Sequence, residues 1–582
     1  MPAGEQPQSA LCQRKVLKKQ MNNLMQSATD QLQSLIKDSL KRAMKQGDLA
    51  ESEIPEFVIE IPADKAHGDF ATNIAMISAR AFRMAPRKIA EIITENLDIT
   101  DSYFDKFEIA GPGFINFFLG AHWFSDVLHE VIATGNDYGK TAFGQNKKVM
   151  VEFVSANPTG PMHIGNARGG AIGDGIASVL EWAGYQVSRE FYVNDAGNQI
   201  NKFALSLEVR YLQLFQDDIE MPEDAYHGAD ITAHAKAFAE INGDKYVNVP
   251  SDIRRQALVS YALPLNIDGL EEDLKKYRIV YDNWFRESTL HQNGEVDKVI
   301  ELLKSRGCTY EAEDALWFKA TDFGADKDFV LVRSNGVPTY VVPDIAYHYN
   351  KLVTRGFDKA IDVLGADHHG YVPRLKAALQ ALDVDPDKLD AVLMQMVRLV
   401  RDGEIIKASK RSGKAITLVT LLDEVPIDAA RFFFNMREAN SHFDFDLDLA
   451  AEESSKNPVY YVQYAHARIC SILKNLSAEG ITAKSAAECN FDLLQKPEEI
   501  ELIRYLATLP NEIIDAAKNY DPSKMTKYAI EAATLFHKFY NACRVRGEEE
   551  ALMQARLSLC IATKTVLKNV LSILKINAPE SM

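Results

Sequence analysis

The chain has 582 residues, 47% hydrophobic and 25% charged, a composition that excludes disordered, collagen-like and low-complexity proteins. No apolar run approaches the ~18 residues that a bilayer-spanning helix needs, so no membrane role is expected. The formal net charge of −17 excludes nucleic-acid binding by bulk charge but not by a local basic surface. The cysteines (Cys12, Cys308, Cys470, Cys489, Cys543 and Cys560) form no C-x-x-C pair and have no His at zinc-finger spacing. No metal site is therefore expected, and a reducing compartment fits better than a disulfide framework.

Residues 1–22 carry Arg14, Lys15, Lys18 and Lys19 with no apolar stretch behind them, and read as a flexible N-terminus rather than a secretory signal. Residues 23–140 read as a small α+β unit. Leu32, Leu35, Ile36 and Leu40 recur at helical spacing, and Phe57–Ile61 reads as a short strand ended by Pro62. The run from Ala66 to Ala75 leads into a further helix, and Phe107–Ala110 and Phe114–Leu119 read as two strands joined by a Gly-Pro-Gly turn.

At Lys147 the pattern changes. Val149–Val154 is nearly continuous in apolar residues, as in a buried parallel sheet. A Pro/Gly-rich loop (155–165) follows, then a helix expected over 167–183 with Ile172, Ile176, Val179 and Leu180 on one face and Gly184 as its cap. Residues 186–192 read as a second strand, and this βαβ unit opens a nucleotide-binding fold. Residues from about 200 to 330 read as one mostly helical insertion. Asn335-Gly336, between Phe329–Val332 and Thr339–Val342, predicts a hairpin. Parallel strands resume at 360–364 and 391–394, and from 457 helix follows helix. Acidic and basic residues cancel from 451 onward, so the net charge lies in residues 1–450. The expected architecture is a multidomain α/β protein: an N-terminal α+β domain (23–140), a Rossmann-type parallel-sheet core with its insertion (141–450) and an all-α bundle (451–582).

The loop at 155–166 lacks the dinucleotide G-x-G-x-x-G pattern. Gly160 and Gly165 allow close backbone approach, and His163 falls at a helix N-terminus, where free amides and the dipole favour anions. Taken alone it is an ordinary capping histidine. Lys407-Ala-Ser-Lys-Arg411, taken alone, is a solvated basic loop. As a pair around a parallel sheet they suit a triphosphate, the lysines supplying charge-assisted contacts.

Together, His163-Ile-Gly-Asn166 and Lys407-Ala-Ser-Lys-Arg411 resemble the HIGH and KMSKS signatures of class I aminoacyl-tRNA synthetases. The wider context resembles the arginyl-tRNA synthetase family. It comprises His67–Asn73, Ala156–Asn166, Tyr192-Val-Asn-Asp195, Tyr340 with Asp344-Ile-Ala-Tyr347, Gly365–Tyr371 and Tyr460–Arg468, in order over residues 23–582. Asn166 replaces the final His of the first signature. Ala408 and Arg411 depart from the second, which keeps Lys410.

The resemblance implies activation of L-arginine by ATP with Mg2+, transfer to tRNA(Arg), and a cytoplasmic monomer. It gives catalytic roles to His163, Asn166, Lys407 and Lys410, the last two in a loop at 405–415. ATP would lie along Ala156, Asn157, Pro158, Thr159, Gly160, Pro161, Met162, His163, Ile164, Gly165 and Asn166, with Gly365, Asp367, His368 and Ser409. Arginine would be held by Glu152, Asn157, Tyr340 and Asp344, since a guanidinium wants carboxylates. The C-terminal bundle would read the anticodon, with Tyr460, Tyr461, Tyr464 and Met582 on tRNA. Two competing readings are a related nucleotidyltransferase that needs no tRNA and an RNA-binding paralogue without catalysis. The terminal units speak against the first, and His163, Lys407, Lys410 and Asp344 against the second.

Overall fold

The computed structural model describes residues 23–223, 225–406 and 416–582. Residues 1–22 and the basic signature at 407–411, with Lys407, Ser409 and Lys410, lie outside the described residues. Helix α1 (Leu24–Gln46) starts where the Asn23 side chain accepts the Gln26 amide, and ends at Gly47 in the left-handed region (φ +86°). Its buried stripe, Leu32, Ile36 and Leu40 included, packs in the N-terminal unit with an antiparallel sheet of order β1-β2-β4-β3. These strands are β1 (Ile59–Glu60), β2 (Phe70–Thr72), β3 (Phe104–Ala110) and β4 (Phe114–Leu119). The strand expected over 57–61 shortens to two residues at the sheet edge, where Pro62 closes it.

The central sheet is wholly parallel. Its strands are β5 (Lys148–Glu152), β6 (Gln186–Val193), β7 (Asn283–Arg286), β8 (Lys359–Gly365) and β9 (Leu389–Met394), in the spatial order β9-β8-β5-β6-β7. Between β5 and β6 runs α2 (Ile164–Trp182), in which every residue from Ala167 to Leu180 is buried. Glycine inside a helix costs about 1 kcal/mol against alanine. Here it lets the helix touch the sheet, because a Cβ on Gly173 would come within 2.2 Å of the Phe153 ring. Gly184 (φ +90°) follows the helix in the left-handed conformation expected of a cap.

The stretch read as one insertion over about 200–330 is two excursions. Helices at 197–212, 229–242 and 251–276 pack on one another, and the chain then returns to the sheet as β7, where Trp284 stacks on Phe191 with centroids 4.3 Å apart. The second excursion starts with α3 (Glu287–Gln292) and includes a small antiparallel sheet, 309–312, 315–318 and 329–332. The hairpin expected at Asn335-Gly336 is a turn with a single bridge, Val332 to Pro338, and the second strand is replaced by α4 (Val341–Tyr349). Pro338 has no N–H to extend a ladder, and Pro343 fits the first turn of a helix.

The C-terminal part is helical as expected: α5 (Pro458–Ala478), then 497–506, 509–519, 523–542 and 550–573. It contacts both other units. Arg504 pairs with Asp69, and the Tyr138 hydroxyl donates to the Leu506 carbonyl (3.0 Å). Helix α2 is held in place by a buried ionic cluster. Asp174 on α2 receives Arg189 (Nε to Oδ1, 2.9 Å) and Arg431, and Arg431 also donates to the carbonyls of Leu574 and Tyr277. Burial acts to raise the Asp174 carboxyl, but the two guanidinium groups outweigh it and hold it below the usual range. Removing one member of a buried ionic cluster strands the others. Asp174→Ala is expected to lower stability by about 3–5 kcal/mol, read as a shift of the urea midpoint by circular dichroism; a change under about 1 kcal/mol would mean that the cluster contributes no more than a surface pair.

Candidate active site

In open parallel sheets, ligands bind in the crevice at the carboxyl ends of the strands, where strand order reverses. Here β5 is that point, with β6 and β7 on one side and β8 and β9 on the other. The carboxyl edge collects Glu152 at the end of β5, Asn194 and Asp195 after β6, Glu287 after β7, and Gly365 with Asp367 and His368 after β8.

The first signature folds tightly at this edge. Val154 and Ser155 both take positive φ (69° and 39°), a strained conformation for a β-branched valine. The strained turn lets the Ser155 hydroxyl donate to Glu152 Oε1 (2.9 Å) while accepting the Tyr192 amide (3.1 Å). His163 is the N-cap of α2, and Asn166 Oδ1 accepts its backbone amide at 3.1 Å. Asn166 thus replaces the signature His with a helix-capping acceptor. The chain just beyond the second signature meets the first: Thr417 forms a bridge with His163, and the Leu418 amide donates to the Met162 carbonyl (2.9 Å). Five residues after His163, the buried Arg168 guanidinium donates only to carbonyls, those of Gln395, Glu438 and Ser441. Burial lowers this guanidinium to about 10, and as a cation it adds positive potential near the helix N-terminus.

A cavity of about 990 Å³ lies at the carboxyl ends of β6 and β7, lined among others by Asn194, Glu287, Arg333, Tyr340 and Asp344. Asp344, in the first turn of α4, accepts a hydrogen bond from the Tyr371 hydroxyl. Burial raises its carboxyl to about 6; Tyr371 and His348 oppose the rise, and the carboxylates of Glu152 and Glu287 add to it. Burial also raises the Glu287 carboxyl. Glu287 was missed in the sequence because it follows a four-residue strand inside the supposed insertion. The structure fixes it through Asp195, which accepts both the amide and the hydroxyl of Ser288 (2.8 Å each).

Other expected site residues are placed as follows. Asn157 is exposed beside the first signature, while Pro158 is buried and its carbonyl accepts from Asn266 (3.0 Å). Tyr340 is 70% exposed at the cavity rim, stacked on Tyr371 with centroids 5.9 Å apart, so it frames the opening rather than closing it. Asp367 and His368 are exposed after β8. On α5, Tyr464 is exposed, Tyr460 is half-buried, and Tyr461 is half-buried with its hydroxyl 3.3 Å from that of Thr534. Met582 is exposed, and the adjoining tail is held to α5 by Gln463 and His466. Among the described residues no group of three or more His, Cys, Asp or Glu side chains is arranged to hold a metal ion.

The parallel sheet, its signature loop and its acidic cavity are those of a class I tRNA synthetase: the catalytic-domain family "tRNA synthetases class I (R)" matches residues 127–470. The arginyl-tRNA synthetase N-terminal domain matches residues 30–119, and the DALR anticodon-binding domain matches 462–582. The chain belongs to the arginyl-tRNA synthetase family. It is 56% identical over 562 residues to an arginine–tRNA ligase of Caldanaerobacter subterraneus, covering 97% of this chain and all of that protein. It is 54% identical to one of Acetivibrio thermocellus over the same shares. The solved structure of Thermus thermophilus arginyl-tRNA synthetase, 21% identical, shares the fold with a TM-score of 0.71 over 94% of this chain and 99% of that one.

Proposed function

We infer that this chain is an arginine–tRNA ligase acting in two steps. The arginine carboxylate attacks the α-phosphate of ATP to give arginyl-adenylate and pyrophosphate. The terminal ribose hydroxyl of tRNA(Arg) then takes the arginyl group and releases AMP. No protein nucleophile is needed, because positioning and charge supply the catalysis. The observation that carries the reading is the cavity at the carboxyl ends of β6 and β7, lined by Asp344 and Glu287, with the Glu152 carboxylate at the end of β5 near enough to act on Asp344.

In this reading Glu152, Asp344 and Glu287 receive the guanidinium, whose planar set of donors needs more than one carboxylate. Tyr340 caps it from the rim, and Asn157 holds the reacting end of the amino acid. His163 and the N-terminal amides of α2 hold ATP phosphates, and Asn166 keeps the cap of that helix. Residues 156–166 and Gly365, Asp367 and His368 flank the nucleotide. Lys407 and Lys410, with Ser409, stabilise the pentacoordinate phosphorus and the leaving pyrophosphate. Mg2+ would accompany ATP and supply charge neutralisation at its phosphates, with no protein ligands called for. The unit at 23–140 and the bundle at 451–582 grip tRNA, the latter through Tyr460, Tyr461, Tyr464 and Met582. The protein works as a cytoplasmic monomer, and the five free thiols among the described residues fit a reducing compartment.

The test is ATP–pyrophosphate exchange with tRNA present and arginine or lysine as the amino acid. Exchange with arginine alone is expected; equal exchange with lysine would remove the carboxylate pocket as the selector. Lys410→Ala is expected to slow adenylate formation about a hundredfold while arginine binding changes little, the usual loss when one transition-state donor is removed. Activation within about threefold of the parent protein in single-turnover kinetics would make Lys410 an ordinary loop lysine.

A further inference from the structure

Beneath the cavity, Asp344 begins a row of charges whose other members, His348 and Lys351, have no part in the chemistry described so far. Asp344, His348 and Lys351 follow one another at i, i+4 and i+7, one face of the helix, and Lys351 falls where α4 widens into a π turn (Asn350–Thr354). Lys351 is completely buried. Its ammonium donates to Glu152 Oε2 (2.5 Å) and to Asp362 Oδ1 on β8 (2.9 Å), and lies over the Tyr347 ring, 4.2 Å from its centroid. Asp362 Oδ2 lies 2.6 Å from His348 Nε2, and His348 Nδ1 lies 2.7 Å from the backbone carbonyl of Asp344. An unbroken chain of contacts thus runs from Glu152 through Lys351, Asp362 and His348 to the backbone of Asp344. It ties the end of β5, the middle of β8 and the first turn of α4 together.

Placing an ammonium in the interior is costly unless its partners are fixed and ionised. The same holds in reverse for the carboxylates. Glu152, Asp344 and Glu287 share one neighbourhood and repel one another, so a flexible Glu152 would swing away from the other two. One oxygen of Glu152 is held by Lys351 and the other by Ser155, which leaves each oxygen a further lone-pair direction for a ligand. Resting on the pocket reading above, we propose that Lys351 is a positioning residue for arginine: from below the cavity it fixes the Glu152 carboxylate and, through Asp362 and His348, the turn that carries Asp344. The two carboxylates then keep the separation that a planar guanidinium requires. The cation itself is sealed off from substrate and touches no reacting group.

A merely structural lysine would lower the amount of folded enzyme or damage every kinetic constant together. A positioning lysine acts on one. The experiment uses the full chain with tRNA and measures arginine-dependent exchange for Lys351→Met, Lys351→Arg and Asp344→Asn. For Lys351→Met the arginine KM is expected to rise about a hundredfold, with kcat and the KM for ATP within about threefold, because the lost contact orients ground-state and transition-state binding alike. Lys351→Arg, which keeps a cation between Glu152 and Asp362, is expected to recover most of the loss. If Lys351→Met does not fold, the double variant Lys351→Met/Asp362→Asn, which strands fewer buried charges, is expected to give the same arginine-selective rise. An unchanged arginine KM in the folded Lys351 variant, single or double, or parallel losses for arginine and ATP, overturns the proposal. Asp344→Asn separates the two levels: if it too leaves arginine binding intact, the pocket assignment fails, whereas an effect of Asp344→Asn alone overturns only the role of Lys351.

Discussion

Asp344→Asn is expected to raise the arginine KM by two to three orders of magnitude and to leave the KM for ATP nearly unchanged. The amide keeps the size of the carboxylate but loses its charge, and an unpaired buried guanidinium costs about 2–5 kcal/mol. Asp344 is the pocket carboxyl that burial lifts to about 6, and that value fixes the sign of a pH effect. Arginine requires the ionised form. Its affinity is therefore constant above about pH 6 and falls as the pH drops through that value, a proton competing with the guanidinium. The folded-state shift is upward, so an empty pocket with an ionised Asp344 is a destabilising element above pH 6, relieved when arginine supplies the missing charge. Steady-state exchange between pH 5 and 8 checks both points. Equal losses of arginine and ATP affinity in the variant, or loss of neither, would take Asp344 out of the amino-acid pocket.

Arginine and ATP without tRNA are expected to give at least about a hundredfold less pyrophosphate exchange than the same mixture with tRNA, since binding energy from remote contacts can be used to assemble a catalytic site. The reasons are visible in the site. Its described parts come from the ends of four strands and from the first signature segment, and Tyr340 stands open at the rim. The units that match the N-terminal and anticodon-binding families lie outside the segments that line this cavity, so contacts of tRNA with them would add binding energy remote from it. The decisive measurement adds tRNA with an oxidised 3′ end, which cannot accept the arginyl group. Robust exchange before any tRNA is added would show a preassembled site and leave the terminal units with recognition alone.

The parts of the site that could be read directly were those with a local signal. A buried strand, a Pro/Gly loop and a helix with a glycine cap announced β5, α2 and β6, because hydrophobic run length and turn chemistry act over neighbouring residues. The second signature lies outside the described residues; beyond it, the chain that resumes at 416 meets the first signature through the bridge from Thr417 to His163. Strand β7 was lost because four residues, Asn283–Arg286, make no periodic pattern, and with it went Glu287. The hairpin was misread because Asn335-Gly336 does turn the chain, but Pro338 and Pro343 favour a helix start over a second strand. Lys351 carried no warning at all. Its spacing from Asp344 is ordinary for a helix, and only the packing of that face against β5 and β8 turns a surface-type residue into a buried one.

The contact between the N-terminal unit and the bundle has a consequence for biosynthesis. Asp69 and Arg504, which pair across it, are 435 residues apart in sequence. At about 5–20 residues per second the ribosome needs roughly 20–90 s to make the second partner after the first. Once residue 134 has been made, every strand of the N-terminal sheet is present, but the helix at Ala121–Thr134 still lacks the bundle helices 497–506 and 550–573 that it packs against. Phe124, which lies under the Arg504 guanidinium in the finished protein, is then uncovered, whereas Asp69 already has the Leu119 amide as a partner. The nascent chain is thus stable at its first sheet and adhesive along one helix. A chain that ends before residue 497 would keep the Phe124 side of that helix uncovered.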